Sequence, residues 1–136
     1  MIDMKKSNEK GFSLIEILIA ITVFAIGILA VGGMQIAAIK GNSFANDLTK
    51  ATTLAQDRME ELIGLSYTDP LLGGNNPTAT DHNDLNNPID DRYNISWNIA
   101  PDHYIKNTKT IRVIVTWTHK EVQKSMSLTS MKADVI

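Results

Sequence analysis

The chain has 136 residues, with 13 Lys or Arg against 15 Asp or Glu for a net charge of −2, and it contains no cysteine. The missing cysteines exclude disulfides, thiolate metal sites, a cysteine nucleophile and a lipoprotein anchor, and the scattered basic residues leave no electrostatic footprint for nucleic acid. One apolar run takes up about 28 residues, so roughly 90 are left for a single small domain whose core must hold by packing alone.

The first ten residues lean polar and carry Lys5, Lys6 and Lys10. Apolar sequence then runs from Phe12 to Ile39 with one formal charge, Glu16, near its start. About 20 apolar residues cross a bilayer core, so the run is membrane-spanning in length. Lysines before it and an acid-rich remainder after it put the N-terminus in the cytoplasm and the C-terminal domain outside, with Lys40 snorkelling at the outer boundary. The same residues could be read as a secretory signal with Phe12 to Phe24 as its apolar region. Its best cleavage site, Ala25-Ile26-Gly27, lies in mid-run, where a signal peptide would already have turned polar.

No proline occurs between Ser13 and Leu65, and the polar half keeps helical periodicity. Leu48, Ala51, Thr52, Ala55, Met59, Leu62 and Ile63 fall on one stripe; Lys50, Thr53, Asp57, Glu60 and Glu61 fall opposite. The spacing predicts one helix over Ser13 to Leu65, about 80 Å long at about 1.5 Å per residue. Its first half is apolar all round and suits lipid or other helices, whereas its second half suits a sheet laid against one face. Gly27, Gly32, Gly33 and Gly41 each weaken it by up to about 1 kcal/mol relative to alanine. Gly33, Ala37, Gly41 and Ala45 also form a flat ridge on which another helix could pack, although small residues are common in membrane helices in general.

Ser13 and Glu16 have the spacing of a capping box. Glutamine could cap as well, and a charge at mid-bilayer costs about 2.5 to 3.5 kcal/mol on insertion scales. A retained carboxylate therefore calls for a cationic partner. A new α-amino group, created by a cut between Gly11 and Phe12, would supply one.

Ser66 to Asp91 is rich in Asn, Asp, Gly, Pro and Thr, with turn markers at Asp69-Pro70, Gly73-Gly74 and Asn76-Pro77, and it reads as a loop. Tyr93, Ile95, Trp97 and Ile99 then alternate with polar residues, as do Ile111, Val113, Val115 and Trp117. A turn near His119-Lys120 leads to a third strand with Val122, Lys124, Met126 and Leu128 on one face. The expected fold class is α+β: a long N-terminal helix on a small antiparallel sheet of about three strands. The domain boundaries are a leader over 1–11, an apolar helix half over 12–41 and an exported head over 42–136. Within the head, the helix continues over 42–65, the loop covers 66–92 and the sheet 93–130.

Trp97 and Trp117 sit in register with inward aliphatic residues and are expected in the core against Met59, Leu62 or Ile63 rather than on a ligand platform. His82, His103 and His119 lack metal-ligand spacing, and no serine, histidine and acid constellation suggests a hydrolase, so neither zinc nor catalysis is expected. The loop residues Asp81, Asn83 and Asp84, with Asn86, Asn87, Asp90 and Asp91, are hard oxygen donors of the kind calcium uses. They fail the EF-hand register, having no central glycine and no closing glutamate, and a solvated turn-forming loop is the simpler reading. Asn94-Ile95-Ser96 is a formal glycosylation sequon inside a strand and carries no weight.

The run Lys10-Gly11-Phe12-Ser13-Leu14-Ile15-Glu16 resembles the class III signal of type IV pilins and type II secretion pseudopilins. The stretch Phe24 to Gln35 is similar to the minor pilin PilV (type IV pilus modification) group, and the chain lacks the helix-kinking proline usual in major pilins. The resemblance covers roughly residues 10 to 35, the remainder matching in architecture only. It implies the type IV pilin fold and a structural, non-enzymatic role without cofactors. It further implies that a prepilin peptidase, an intramembrane aspartic protease, cuts between Gly11 and Phe12 and N-methylates Phe12. Glu16, fifth after the cut, would neutralise the amino group of a neighbouring subunit, and other major and minor pilins would pack along the N-terminal helix. The subunit would wait in the inner membrane and then enter an extracellular pilus or, for a pseudopilin, a periplasmic pseudopilus. Some pseudopilins bind calcium in the region of the 81–91 loop. Outside this family, the same sequence suits a signal-anchored inner-membrane protein with an exported binding domain, in which the leader stays attached and Glu16 is only a cap.

Overall fold

The computed structural model describes residues 11–75 and 78–134. The expected leader up to Lys10 and the Asn76-Pro77 turn marker lie outside the described residues. Helix α1 spans Leu14–Gly64 and is followed by a single 3-10 turn at Pro70–Leu72. Four strands complete the chain: β1 (His82–Asn83), β2 (Tyr93–Pro101), β3 (Thr108–His119) and β4 (Val122–Ala133). The chain divides into two compact units, one ending at Asn42 and one beginning at Ser43.

In the first unit α1 is helical through Gly27, Gly32, Gly33 and Gly41, so the glycines do not interrupt it. Its long side chains, from Leu14 and Ile15 to Ile36 and Ile39, are exposed. An 18-residue window of the helix is apolar enough to cross a membrane, and none of it is buried. The helix opens on backbone bonds: the Ser13 carbonyl accepts from Glu16 N–H at 3.1 Å and Ile17 N–H at 3.2 Å. The reciprocal side-chain bonds of a capping box are not formed there, which corrects the reading of Ser13 and Glu16 as a cap.

In the second unit the sheet order is β1-β2-β3-β4, all antiparallel. Alternation puts Tyr93, Ile95, Trp97 and Ile99 opposite Trp117, Val115, Val113 and Ile111. All eight are buried, with Ala51, Ala55, Met59 and Leu62 of α1 and Leu72 of the following turn. Both tryptophans are thus core residues, and a side chain such as Leu62 contributes about 1.5–3 kcal/mol by leaving water. The apolar stripe is narrower than the sequence suggested. Leu48 and Ile63 stand 38% and 40% exposed at its margins, because a flat sheet covers only the centre line of a helix face. Val122 is likewise exposed, since it opens an edge strand beyond the helix.

The sheet has four strands where three were expected, and it runs to Ala133 rather than ending near residue 130. The extra strand, β1, has only two residues, too few to leave a pattern. Side chains extend it. Asp81 Oδ2 accepts from Ile99 N–H at 2.9 Å, and Asn87 reaches both backbone groups of Ile95, accepting at 2.8 Å and donating at 2.7 Å. These bonds cover the exposed edge of β2 in place of a ladder.

Other polar side chains tie loops and ends to the sheet. Trp97 Nε1 donates to the Leu71 carbonyl at 2.9 Å, and Lys109 Nζ donates to the carbonyls of Tyr67 and Leu72 at 2.6 and 3.0 Å. The last turn of α1 has no basic residue of its own. Lys132 of β4 supplies one by donating to the Ile63 carbonyl, where a cation suits the negative end of the helix. Lys120 and Glu121 form a two-residue turn between β3 and β4 with φ of 49° and 64°.

Candidate functional site

The two residues before the helix and its first turn form one exposed patch. Phe12 is 81% exposed. Phe12, Glu16, Ile17, Ala20 and Ile21 line one shallow groove of about 300 Å³. Its wall is apolar except for the Glu16 carboxylate, and that carboxylate has no cationic partner among the described residues. It does stand in the first turn of α1, where the helix dipole favours a negative charge. Farther along, Gly33, Ala37 and Gly41 are exposed, and a Cβ added at either glycine would meet nothing within 4 Å.

A second cluster lies in the head and was missed from the sequence. Asp47 is buried on α1, 4% exposed. His119 Nδ1 donates to its Oδ2 at 2.6 Å, Arg92 donates to the same oxygen at 3.1 Å, and the Tyr93 hydroxyl reaches Oδ1 at 3.5 Å. Phe44 meets the His119 ring edge-on at 5.8 Å. The His119 hydrogen bond, with help from Arg92, holds the Asp47 carboxyl below its usual range against the opposing effect of burial. Burial, and then the Asp47 charge, push the Tyr93 hydroxyl up. One carboxylate thus joins the helix to the start of β2 and the end of β3, which lie side by side at one end of the pair. The signal was available: Asp47 extends the stripe of Ala51 and Ala55 by one turn, and His119 extends the inward alternation that ends at Trp117.

The oxygen donors Asp81, Asn83 and Asp84 are spread along the β2 edge, each with a task in the fold. Asp81 holds Ile99 N–H, Asn83 pairs with Ser96 in the sheet, and Asp84 is buried against the Arg58 guanidinium while accepting from Asn86 N–H at 2.8 Å. Arg58 also pairs with Glu61 at 2.8 Å and lies 5.1 Å from the centre of the Trp97 ring. Among the described residues no group of three or more His, Cys, Asp or Glu is arranged to hold a metal. The three histidines are apart: His82 stacks on Trp97 at 5.4 Å, His103 meets Tyr104 edge-on at 4.3 Å, and His119 serves Asp47.

Comparison with known families decides what the N-terminal patch is. Residues 6–32 match the family model of the prokaryotic N-terminal methylation motif. The chain carries a type IV prepilin-like N-terminus. Gly11, Phe12 and Glu16 all lie inside the matched segment. The motif marks a structural, type IV pilin-like or pseudopilin-like kind of protein rather than an enzyme family, and it implies processing by prepilin peptidase and assembly with other pilins. The layout agrees with it, since a long N-terminal helix, apolar in its first half and packed through Ala51 to Leu62 on an antiparallel sheet, is consistent with the type IV pilin fold. No curated protein and no solved structure matches the chain.

Proposed function

We propose that the protein is a minor type IV pilin of the PilV-like kind: a structural and priming subunit that is stored in the inner membrane with its N-terminus in the cytoplasm, processed, and inserted into a pilus. Hydrolysis of the Gly11–Phe12 bond leaves a carboxylate on the leader and an ammonium on Phe12, which N-methylation preserves as a cation. Glu16 of one subunit then neutralises the Phe12 ammonium of the next. Gly33, Ala37 and Gly41 offer the close-packing ridge for neighbouring helices, and the sheet domain faces outward.

The observation that carries this reading is the exposed Glu16 at the mouth of an apolar helix, without a cationic partner among the described residues and inside the matched methylation motif. A carboxylate in apolar surroundings is costly, and a partner that arrives only on assembly offsets that cost. Intact-mass and N-terminal analysis of the protein from its native membrane tests it. A chain beginning at N-methylated Phe12 is expected. A retained leader, or a start after Gly27, overturns it in favour of a signal-anchored or secreted protein.

A further inference from the structure

The face of the sheet turned away from α1 is not bare. The segment between β2 and β3, Asp102 to Asn107, is held by its own bonds: Asp102 N–H donates to the Thr108 carbonyl at 2.8 Å, and Asn107 N–H donates to Asp102 Oδ1 at 2.7 Å. Asn98 and Thr110, polar residues of the outward pattern, are 1% and 6% exposed. Both line a cavity of about 190 Å³, together with Tyr104, Arg112, Ser127 and Thr129.

Three features of this cavity point to a ligand. The lining is mainly polar and comes from three adjacent strands, with Asn98, Arg112 and Thr129 in one cross-strand row. The β2–β3 segment adds His103 and Tyr104 to the same lining, so the cavity is bounded by loop as well as by sheet. Arg112 makes one long bond, to Ser127 Oγ at 3.5 Å, and pairs with no carboxylate among the described residues. Its remaining N–H groups form a planar fork suited to two oxygens of one anion.

We infer that this outer-face cavity is a binding site for a small oxyanion, a carboxylate or phosphate group held by the Arg112 fork and the hydroxyls of Ser127 and Thr129. Tyr104 at the rim gives the ligand an aromatic wall. The site is independent of Gly11, Phe12 and Glu16, and it stands or falls apart from the pilin reading.

The test uses the full-length protein in detergent micelles, with sodium acetate, sodium phosphate and glucose as probes at matched ionic strength in chloride. Acetate or phosphate should raise the melting temperature saturably, as expected for a ligand bound only by the folded state, and which anion does so identifies the group. Arg112→Gln should weaken that binding about tenfold or more. Thr129→Val, at an exposed lining position, should fold as wild type does and lose part of the anion-dependent rise. The inference is overturned if neither anion exceeds chloride, if glucose gives the same rise, or if either variant keeps the full anion response.

Discussion

Asp47 and His119 are 72 positions apart and meet at 2.6 Å, carboxylate oxygen to ring nitrogen, at the buried junction of α1 with the end of β3. Arg92 and Tyr93 converge on the same carboxylate, so a single acid on the helix sets where the start of β2 and the end of β3 dock. Asp47→Ala should destabilise the protein by about 1–3 kcal/mol, the range for stranding buried donors. Denaturation followed by circular dichroism would show it.

The same carboxylate gives a pH dependence of definite sign. The Asp47 pKa is lowered in the folded state from an ordinary value of 3.8. Its contribution is therefore fully present above that ordinary value and is lost as the pH falls through the lower, folded one. The melting temperature should drop more steeply below about pH 4 in wild type than in Asp47→Asn. Equal slopes for the two proteins would remove Asp47 from the acid response.

At the other end of the helix, Glu16→Ala and Glu16→Gln separate charge from hydrogen bonding. Ser13 and Glu16 do not form a capping box, so glutamine has no capping role to rescue. Both variants should still be cleaved and inserted in the membrane, and neither should enter filaments at the wild-type level. Normal assembly by both, read by immunoblotting of sheared filaments, would end the charge-neutralisation account.

Adjacent helix positions should respond very differently to truncation. Leu62 is fully buried whereas Ile63 is 40% exposed. Leu62→Ala should cost about 2–5 kcal/mol, and Ile63→Ala well under that. Comparable losses in urea melts would mean that the helix is turned otherwise against the sheet.

The β3–β4 turn holds Lys120 and Glu121 at positive φ, a conformation costing an ordinary residue about 1–2 kcal/mol. Replacing the pair by Asn-Gly, the combination such turns favour, should raise the melting temperature. Calcium would raise the melting temperature only if the loop offered free oxygen donors. Here Asp81 and Asp84 are already engaged by Ile99 and Arg58, so millimolar calcium should leave the melting temperature unmoved.

The long elements were legible because burial imposes a period on sequence. Alternation from Tyr93 to Ile99 and from Ile111 to Trp117 marks two half-buried strands, and the Ala51, Ala55, Met59 and Leu62 spacing marks the helix face they cover. The methylation motif was legible for a different reason: it is a local string, read without the fold. What escaped was whatever depends on polar side chains finding distant partners. Asp47 looks like a surface residue until His119 and Arg92 arrive, β1 exists because Asp81 and Asn87 bond sideways to β2, and Asn98 is buried by a loop whose path no pattern announces. The outer-face cavity belongs to that class too.

Lys132 deserves one last consequence. It sits near the end of an edge strand, and its ammonium closes the carbonyl end of α1 at Ile63. β4 therefore acts as a latch: peeling it from β3 also opens the helix terminus. Amide exchange in the last turn of α1 and along β4 should accelerate together, one opening event seen from two places.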